Sequence, residues 1–282
     1  MKMISRLICL LAAVGFLLSL NMAQSFAAGS AMTDWDREII SGTGYGVADP
    51  ARAKNPGHAR IMAHQAAMLD AYRRLAEQAK GIHVTANSSI SDNISTGDVV
   101  TGEVDAVVKR ARVVSENYDE YGNCSVVLEV PLFGVTNSIA KAVLKPVAKE
   151  AFPAPTVKVN EATIQSTVNV TITGGYTGLI IDCSGLGLKP VMSPVIRNAS
   201  QQPIYGYKNL DYDRVIDKGM ASYASGMNGN LSRAGSNPLI IKAVRVEDHN
   251  SYPVVDTADA DRILLENQKS HFLDSCAVVF VR

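Results

Sequence analysis

The chain is predicted to be α+β, with an N-terminal antiparallel sheet packed by helices and then a second, α/β or mixed-sheet domain. Three observations predict this. A segment of helical periodicity, residues 59–80, is bracketed by strand-like runs, and the last two of these flank a turn-rich connection at 119–123. A proline-stiffened stretch, Lys145-Pro146 and then Phe152-Pro153-Ala154-Pro155, breaks the chain near residue 153. Beyond it, continuous apolar runs alternate with helix-like segments, which favours a sheet covered on both faces and at least partly parallel. The 282 residues also exceed the usual domain of roughly 100 to 150. The expected division is 1–27, 33–152 and 156–282.

Residues 1–27 read as a secretory signal peptide. Lys2 and Arg6 precede an apolar run from Leu7 to Leu20, and Ser25-Phe26-Ala27 supplies a small-x-small cleavage pattern. The run is shorter than the ~20 residues a membrane span needs, and no later segment approaches that length, so no transmembrane segment is expected in the mature chain. No lipid anchor is expected either, because Cys9 lies inside the apolar run rather than at the cleavage site. The predicted location is the periplasm or the extracellular space. Removing two basic groups and no acids takes the charge from 27 − 27 to 25 − 27, or −2. That balance gives no electrostatic reason to expect nucleic acid as a partner.

The first strand, Ile39 to Ala48, contains Ser41-Gly-Thr-Gly-Tyr-Gly46, with glycine at every second position. A phosphate cradle would need a helix to begin at those glycines. Here Pro50, Pro56 and about ten residues intervene. In a strand Gly42, Gly44 and Gly46 share one face, and that bare face is expected to let the backbone or a helix approach closely. The helix at 59–80 is expected to bury Ile61, Met62, Met68, Leu69, Tyr72, Leu75, Ala76 and Ala79 and to expose Arg60, Asp70, Arg74, Glu77 and Gln78, with Gly81 as its C-terminal cap. Strands are expected at Ile82–Ala86, Val104–Glu116 and Cys124–Leu132, the last two as a hairpin around Asp119 to Asn123. A shorter helix is expected over Gly134–Val147.

The order of glycine strand, "ARIMAHQAAMLDAYRRLAEQAKGIHV" helix and exit, and "GNCSVVLEVPL" hairpin resembles the twenty-kilodalton bacterial envelope lipoprotein family and the related N-terminal domain of flagellar assembly protein T, over about residues 35–145. The resemblance implies a small α+β module of cell-envelope and flagellar basal-body proteins, with no catalytic residues. The cysteine that carries lipid in the lipoprotein family is absent, so export is implied and anchoring is not.

In the second half, Thr156–Thr173 reads as one long or two short strands. Further strands are expected within Tyr176–Met192, Pro238–Val246 and Cys276–Arg282, and helices over Asp213–Tyr223 and Asp256–Phe272. In the last helix Asp256 or Thr257 is the cap and Ile263 and Leu264 face inward. This region is similar to the C-terminal part of uncharacterised exported bacterial proteins, a resemblance that implies a setting and no mechanism.

The best place for chemistry is Asp182-Cys183-Ser184-Gly185-Leu186-Gly187, a loop at the carboxyl end of a strand, where α/β folds place ligands. A ligand there would be held by Asp182, Ser184, Gly185 and Gly187, with Tyr205 from a strip of Tyr205, Tyr207, Tyr212 and Tyr223. The plainer reading is a tight turn with a structural aspartate, because Pro190 and Pro194 keep a helix from starting behind the glycines. Cys183 and Cys276 either bridge neighbouring strands or, with Cys124, stay reduced in the core. A thiolate nucleophile at Cys183 would need a neighbouring histidine, His249 or His271. The five histidines show no metal-ligand spacing, and Asp256, Asp259, Asp261 and Glu266 read as a charged helix start rather than a calcium loop. No cofactor or metal is expected. The expected function is a non-enzymatic exported envelope protein, a structural or assembly component of the outer membrane or flagellar basal body. Its expected partners are envelope or basal-body proteins, with self-association open. The alternative is a periplasmic module that binds a cell-wall glycan or small ligand through the Asp182–Lys189 loop.

Overall fold

The computed structural model describes residues 29–94, 98–156 and 172–282. The signal-peptide segment and most of the strand expected at Thr156–Thr173 lie outside the described residues.

The first module opens with β1 (Ala31–Asp34) and β2 (Ile39–Gly46), followed by α1 (Pro56–Lys80), the short β3 (His83–Thr85) and β4 (Ser88–Ser89), α2 (Ile90–Ile94), α3 (Asp98–Lys109), β5 (Arg112–Tyr118), β6 (Cys124–Pro131) and α4 (Ile139–Val143). Its sheet is antiparallel in the order β1-β2-β6-β5, while β3 and β4 form a separate two-stranded ribbon. The β5–β6 hairpin is as expected: Asp119 accepts from the N–H groups of Tyr121 and Asn123, and Gly122 takes a left-handed φ of 82°.

The close approach anticipated at the glycines is present, and α1 is the element that approaches. Gly42, Gly44 and Gly46 lie on the buried face of β2. A Cβ on Gly44 would collide with the Ala67 carbonyl and the Ala71 amide, and one on Gly46 with the Ala63 carbonyl and the Ala67 amide. Helix backbone therefore rests on strand backbone. The helix answers with its own small residues: its buried face is Ala63, Ala67, Ala71, Leu75 and Ala79, each four residues after the last. This corrects the face assigned from sequence, since Ile61 is 58 % and Leu69 71 % exposed. Flanking side chains stitch the pair, with the Tyr45 N–H donating to Asp70 (3.2 Å), Arg74 paired to Asp70 (2.9 Å) and Gln78 donating to Thr33 (2.9 Å). Asn55 caps α1 through the His58 N–H, with Pro56 in the first turn.

Two further assignments change. Residues 104–109, expected to begin a strand, finish α3 and bury Val104, Val107 and Val108. The helix expected over 134–147 contracts to α4, because Ser138 caps it through the Lys141 N–H and Leu144 is already extended ahead of Lys145-Pro146.

The second module comprises β7 (Gly178–Asp182), β8 (Ile196–Arg197), β9 (Pro203–Tyr205), α5 (Tyr212–Lys218), β10 (Ser222–Ala224), β11 (Pro238–Lys242), β12 (Arg245–Glu247), β13 (Tyr252–Val254), α6 (Thr257–Ser270) and β14 (Val278–Val281). A four-stranded sheet runs β10-β14-β7-β11 with every pairing parallel, and a mixed sheet runs β12-β13-β8-β9. Burial on both faces explains the continuous apolar strands. From β7, Leu179 and Ile181 enter the main core, whereas Ile180 joins Val279, Val281, Ala224 and Ala234 in a smaller cluster. Asp256 caps α6 through the Asp259 N–H, and Ile263 and Leu264 point inward.

No strand is shared across residue 153, yet the main core is continuous. It runs from Ala67, Leu75 and Leu128 of the first module to Ile181, Ile263 and Phe280 of the second. The prolyl connection is itself held against the second module: Tyr207 and Tyr212 donate to the carbonyls of Lys145 (2.7 Å) and Leu144 (3.3 Å), and Phe152 stacks on Tyr205 at 6.4 Å.

Candidate functional site

At the carboxyl end of β7, Asp182 accepts from the Ser184 N–H (2.9 Å). Hydrogen bonds from Ser184, then the Lys242 charge, hold its carboxyl below the usual carboxylate range. The Leu186 N–H returns to the Cys183 carbonyl (3.0 Å), and Gly185 and Gly187 take φ values of 78° and 69°. These are the marks of a tight turn closed by its own aspartate. The Lys189 N–H then donates to the Asn250 carbonyl (2.7 Å). Asn250 belongs to the β12–β13 turn, in which Asp248, His249 and Asn250 are all left-handed.

Asp182, Ser184, Gly185 and Gly187 stand together as expected. Tyr205 adds nothing to their surface, since it is 0 % exposed and its hydroxyl donates to the Met220 carbonyl (2.6 Å). Of the tyrosine strip, Tyr223 is buried and donates to the Val191 carbonyl (2.9 Å), while the half-buried Tyr207 and Tyr212 donate their hydroxyls to the connection.

Cys183 and Cys276 are free, as is Cys124, and all three are buried. Strand direction explains the missing bridge. β7 and β14 are neighbours, but parallel pairing sets Val278 beside Leu179 and Val281 beside Asp182. Cys276 therefore lies before the start of one strand and Cys183 beyond the end of the other, about 20 Å apart along the strands at roughly 3.3 Å per residue. Burial, then the Asp182 charge, pushes the Cys183 thiol up to about 12, and burial raises Cys124 and Cys276 as well. A thiol so placed stays protonated at neutral pH. In the chain beginning after residue 27, none of the three is expected to react with Ellman's reagent at about pH 8 while folded, and all three should react in denaturant. Fast labelling of Cys183 in the folded protein would contradict this placement.

The acidic residues of α6 divide. Asp256 caps the helix, but Asp261 and Glu266 are 2 % and 0 % exposed. Asp261 accepts from the Thr156 N–H and hydroxyl (2.6 and 2.5 Å), and Glu266 from the N–H groups of Thr173 and Gly174 (2.8 Å each). They anchor backbone on α6, so the reading of a charged helix start does not extend to them.

The groups that sequence reading missed lie where the modules meet. Arg233 pairs with Glu38 (2.6 Å) and also donates to the Gly219 carbonyl (3.3 Å), and Ser225 donates to Asp36 (3.0 Å). Trp35 meets Tyr223 edge-on at 5.4 Å. Burial raises the Glu38 carboxyl, with Arg233 opposing. A polar cleft of about 570 Å³ opens beside these residues, lined also by Ser222, whose buried hydroxyl has no partner among the described residues. A second, mostly apolar cavity of about 610 Å³ lies between the prolyl connection and the β8–β9 and β13 strands. The only sequence signal for this junction was the density of tyrosine and proline around Pro203 to Tyr207.

Among known proteins, the family model described as Treponema pallidum Tp0624, second domain, matches residues 178–282. The match begins at the first residue of β7 and spans both sheets of the second module. No curated protein matches the chain.

Proposed function

We propose that this is a non-enzymatic exported protein of the bacterial cell envelope, a structural or assembly component at the outer membrane or flagellar basal body. The observation that carries the reading is how its reactive groups are used. The cysteine thiols are buried and protonated, Asp182 closes a turn, Asp261 and Glu266 hold backbone, and Glu38 and Arg233 join the modules. These side chains are engaged in holding the structure and joining its modules, which suits a part that transmits contacts rather than one that turns over substrate. The leader-like residues 1–27 and the envelope-family resemblance of residues 35–145 supply the setting.

Fractionation of a bacterial host producing the full chain, with N-terminal sequencing, is expected to recover a processed protein outside the cytoplasm, starting near residue 28. Deletion of the gene in its own host should disturb envelope integrity or motility. Recovery of the unprocessed chain in the cytoplasm, or a deletion strain with both properties intact, would overturn the proposal.

A further inference from the structure

The apolar cavity of about 610 Å³ falls within the size range of small-molecule sites, roughly 300 to 1,000 Å³, and such sites favour junctions between domains. Its walls include Val147 and Pro153 of the prolyl connection, Val195, Pro203 and the rings of Tyr207 and Tyr252. Both rings are fixed from behind. The Tyr207 hydroxyl donates to the Lys145 carbonyl (2.7 Å), and the Tyr252 hydroxyl accepts from the Ala86 N–H (3.2 Å) while the Arg197 guanidinium sits 5.3 Å from the ring centre. The cavity is therefore formed before anything enters it, which lowers the ordering cost of binding.

Ser193 supplies a free polar group to the lining. Ser193 is 7 % exposed and its N–H donates to the Val84 carbonyl (2.8 Å), but its hydroxyl bonds to no other described residue. Its oxygen is open to the cavity, so a bound acceptor would take the place of water there. At the rim, Lys208 and Glu150 pair with each other at 3.3 Å, both largely exposed, so the rim is electrically compensated. A charged ligand would gain little there and would lose its hydration among apolar walls.

We propose that this cavity binds a small uncharged ligand with an apolar body and one hydrogen-bond acceptor, a carbonyl for example, which meets the Ser193 hydroxyl. The site does not depend on the envelope role, and its test reads neither export nor phenotype.

The probe is prodan, an uncharged naphthalene ketone whose emission reports polarity and hydrogen bonding to its carbonyl, titrated into the chain that begins after residue 27. Saturable, blue-shifted emission with one site per chain is expected. Ser193→Ala should weaken binding about fivefold and shift the emission further to the blue, because the carbonyl loses its donor. Gly206→Leu should weaken it about tenfold or more. Gly206 has extended backbone (φ −174°), and a Cβ there meets its nearest neighbours only at 3.7 and 3.9 Å, so the first atom of the added side chain fits without backbone strain. Should that variant fail to fold, Val147→Asp at the 44 % exposed rim replaces it, with the same loss expected. The proposal is overturned if prodan shows no saturable binding up to about 100 µM, if a folded cavity-filling variant binds as tightly as the parent, or if the anionic dye anilinonaphthalene sulfonate occupies the site with equal affinity.

Discussion

Gly44→Val is expected to remove the cooperative unfolding transition at ordinary temperatures, or to lower the stability by about 3 kcal/mol or more, at the upper end of what overpacking costs. The added Cβ would have to occupy the position of the Ala67 carbonyl and the Ala71 amide. Those atoms are helix backbone engaged in the α1 ladder, so they cannot rotate aside as a side chain can. Relief requires lifting α1 from β2 and opening the face shared by Ala63, Ala67, Ala71 and Leu75, all 0 % exposed. Thr43→Val is the control. Thr43 adjoins Gly44 in β2 but points to the opposite, part-exposed face, where valine suits a strand at least as well. Thermal melting by circular dichroism of the two variants separates a local packing fault from a general intolerance of change in this strand. Equal stability of the two would refute the backbone-on-backbone contact.

The same contact shows what sequence could and could not reveal here. The period-two glycines were readable, and with them the face that must stay bare. The helix was readable too, but its inward face only in part: Leu75 and Ala79 are buried as expected, while hydrophobic weight favoured Ile61 and Leu69 over Ala63, Ala67 and Ala71. Large residues would have been right against an ordinary strand. Against glycines, the small residues win, since only they let the helix come close. Val104, Val107 and Val108 misled in the opposite way: their spacing of three and four is helical, but β-branched residues leading into a hairpin read as strand. The parallel sheet was legible from Leu179-Ile180-Ile181 and Val278 to Val281, since burial on both faces leaves no alternation to find. The loop at Asp182 follows the end of β7, as the sequence suggested, and the plainer turn reading describes its geometry. Little of the junction was legible beyond the tyrosines and prolines around Pro203 to Tyr207. Glu38 and Arg233 are 195 positions apart, and neither belongs to a motif.

That junction bears on whether two modules mean two folding units. A prolyl connection near residue 153 suggests independence, whereas a core continuous from Leu75 to Phe280 predicts a single unfolding transition for both halves. Gly219 tests this at one contact. It ends α5 with φ 74°, and a Cβ there would lie 2.8 to 2.9 Å from the Phe133 ring of the first module, whose neighbour Gly134 donates to the Ile216 carbonyl (2.7 Å). Gly185 also has a positive φ, 78°, but nothing lies within 4 Å of a Cβ there. Both alanine variants carry a backbone penalty of about 1–3 kcal/mol for positive φ, the larger at Gly219, whose ψ of 170° lies outside the left-handed helical region. Gly219→Ala is expected to cost roughly 1–3 kcal/mol more, the price of overpacking against an aromatic ring. Phe133→Leu should recover part of that difference in the double variant, since a smaller side chain yields the space. In calorimetry the Gly219→Ala chain should still melt in one transition at a lower temperature, with both halves shifted together. Two separated transitions, or costs equal to those of Gly185→Ala, would mean that the modules fold apart and the junction contributes little.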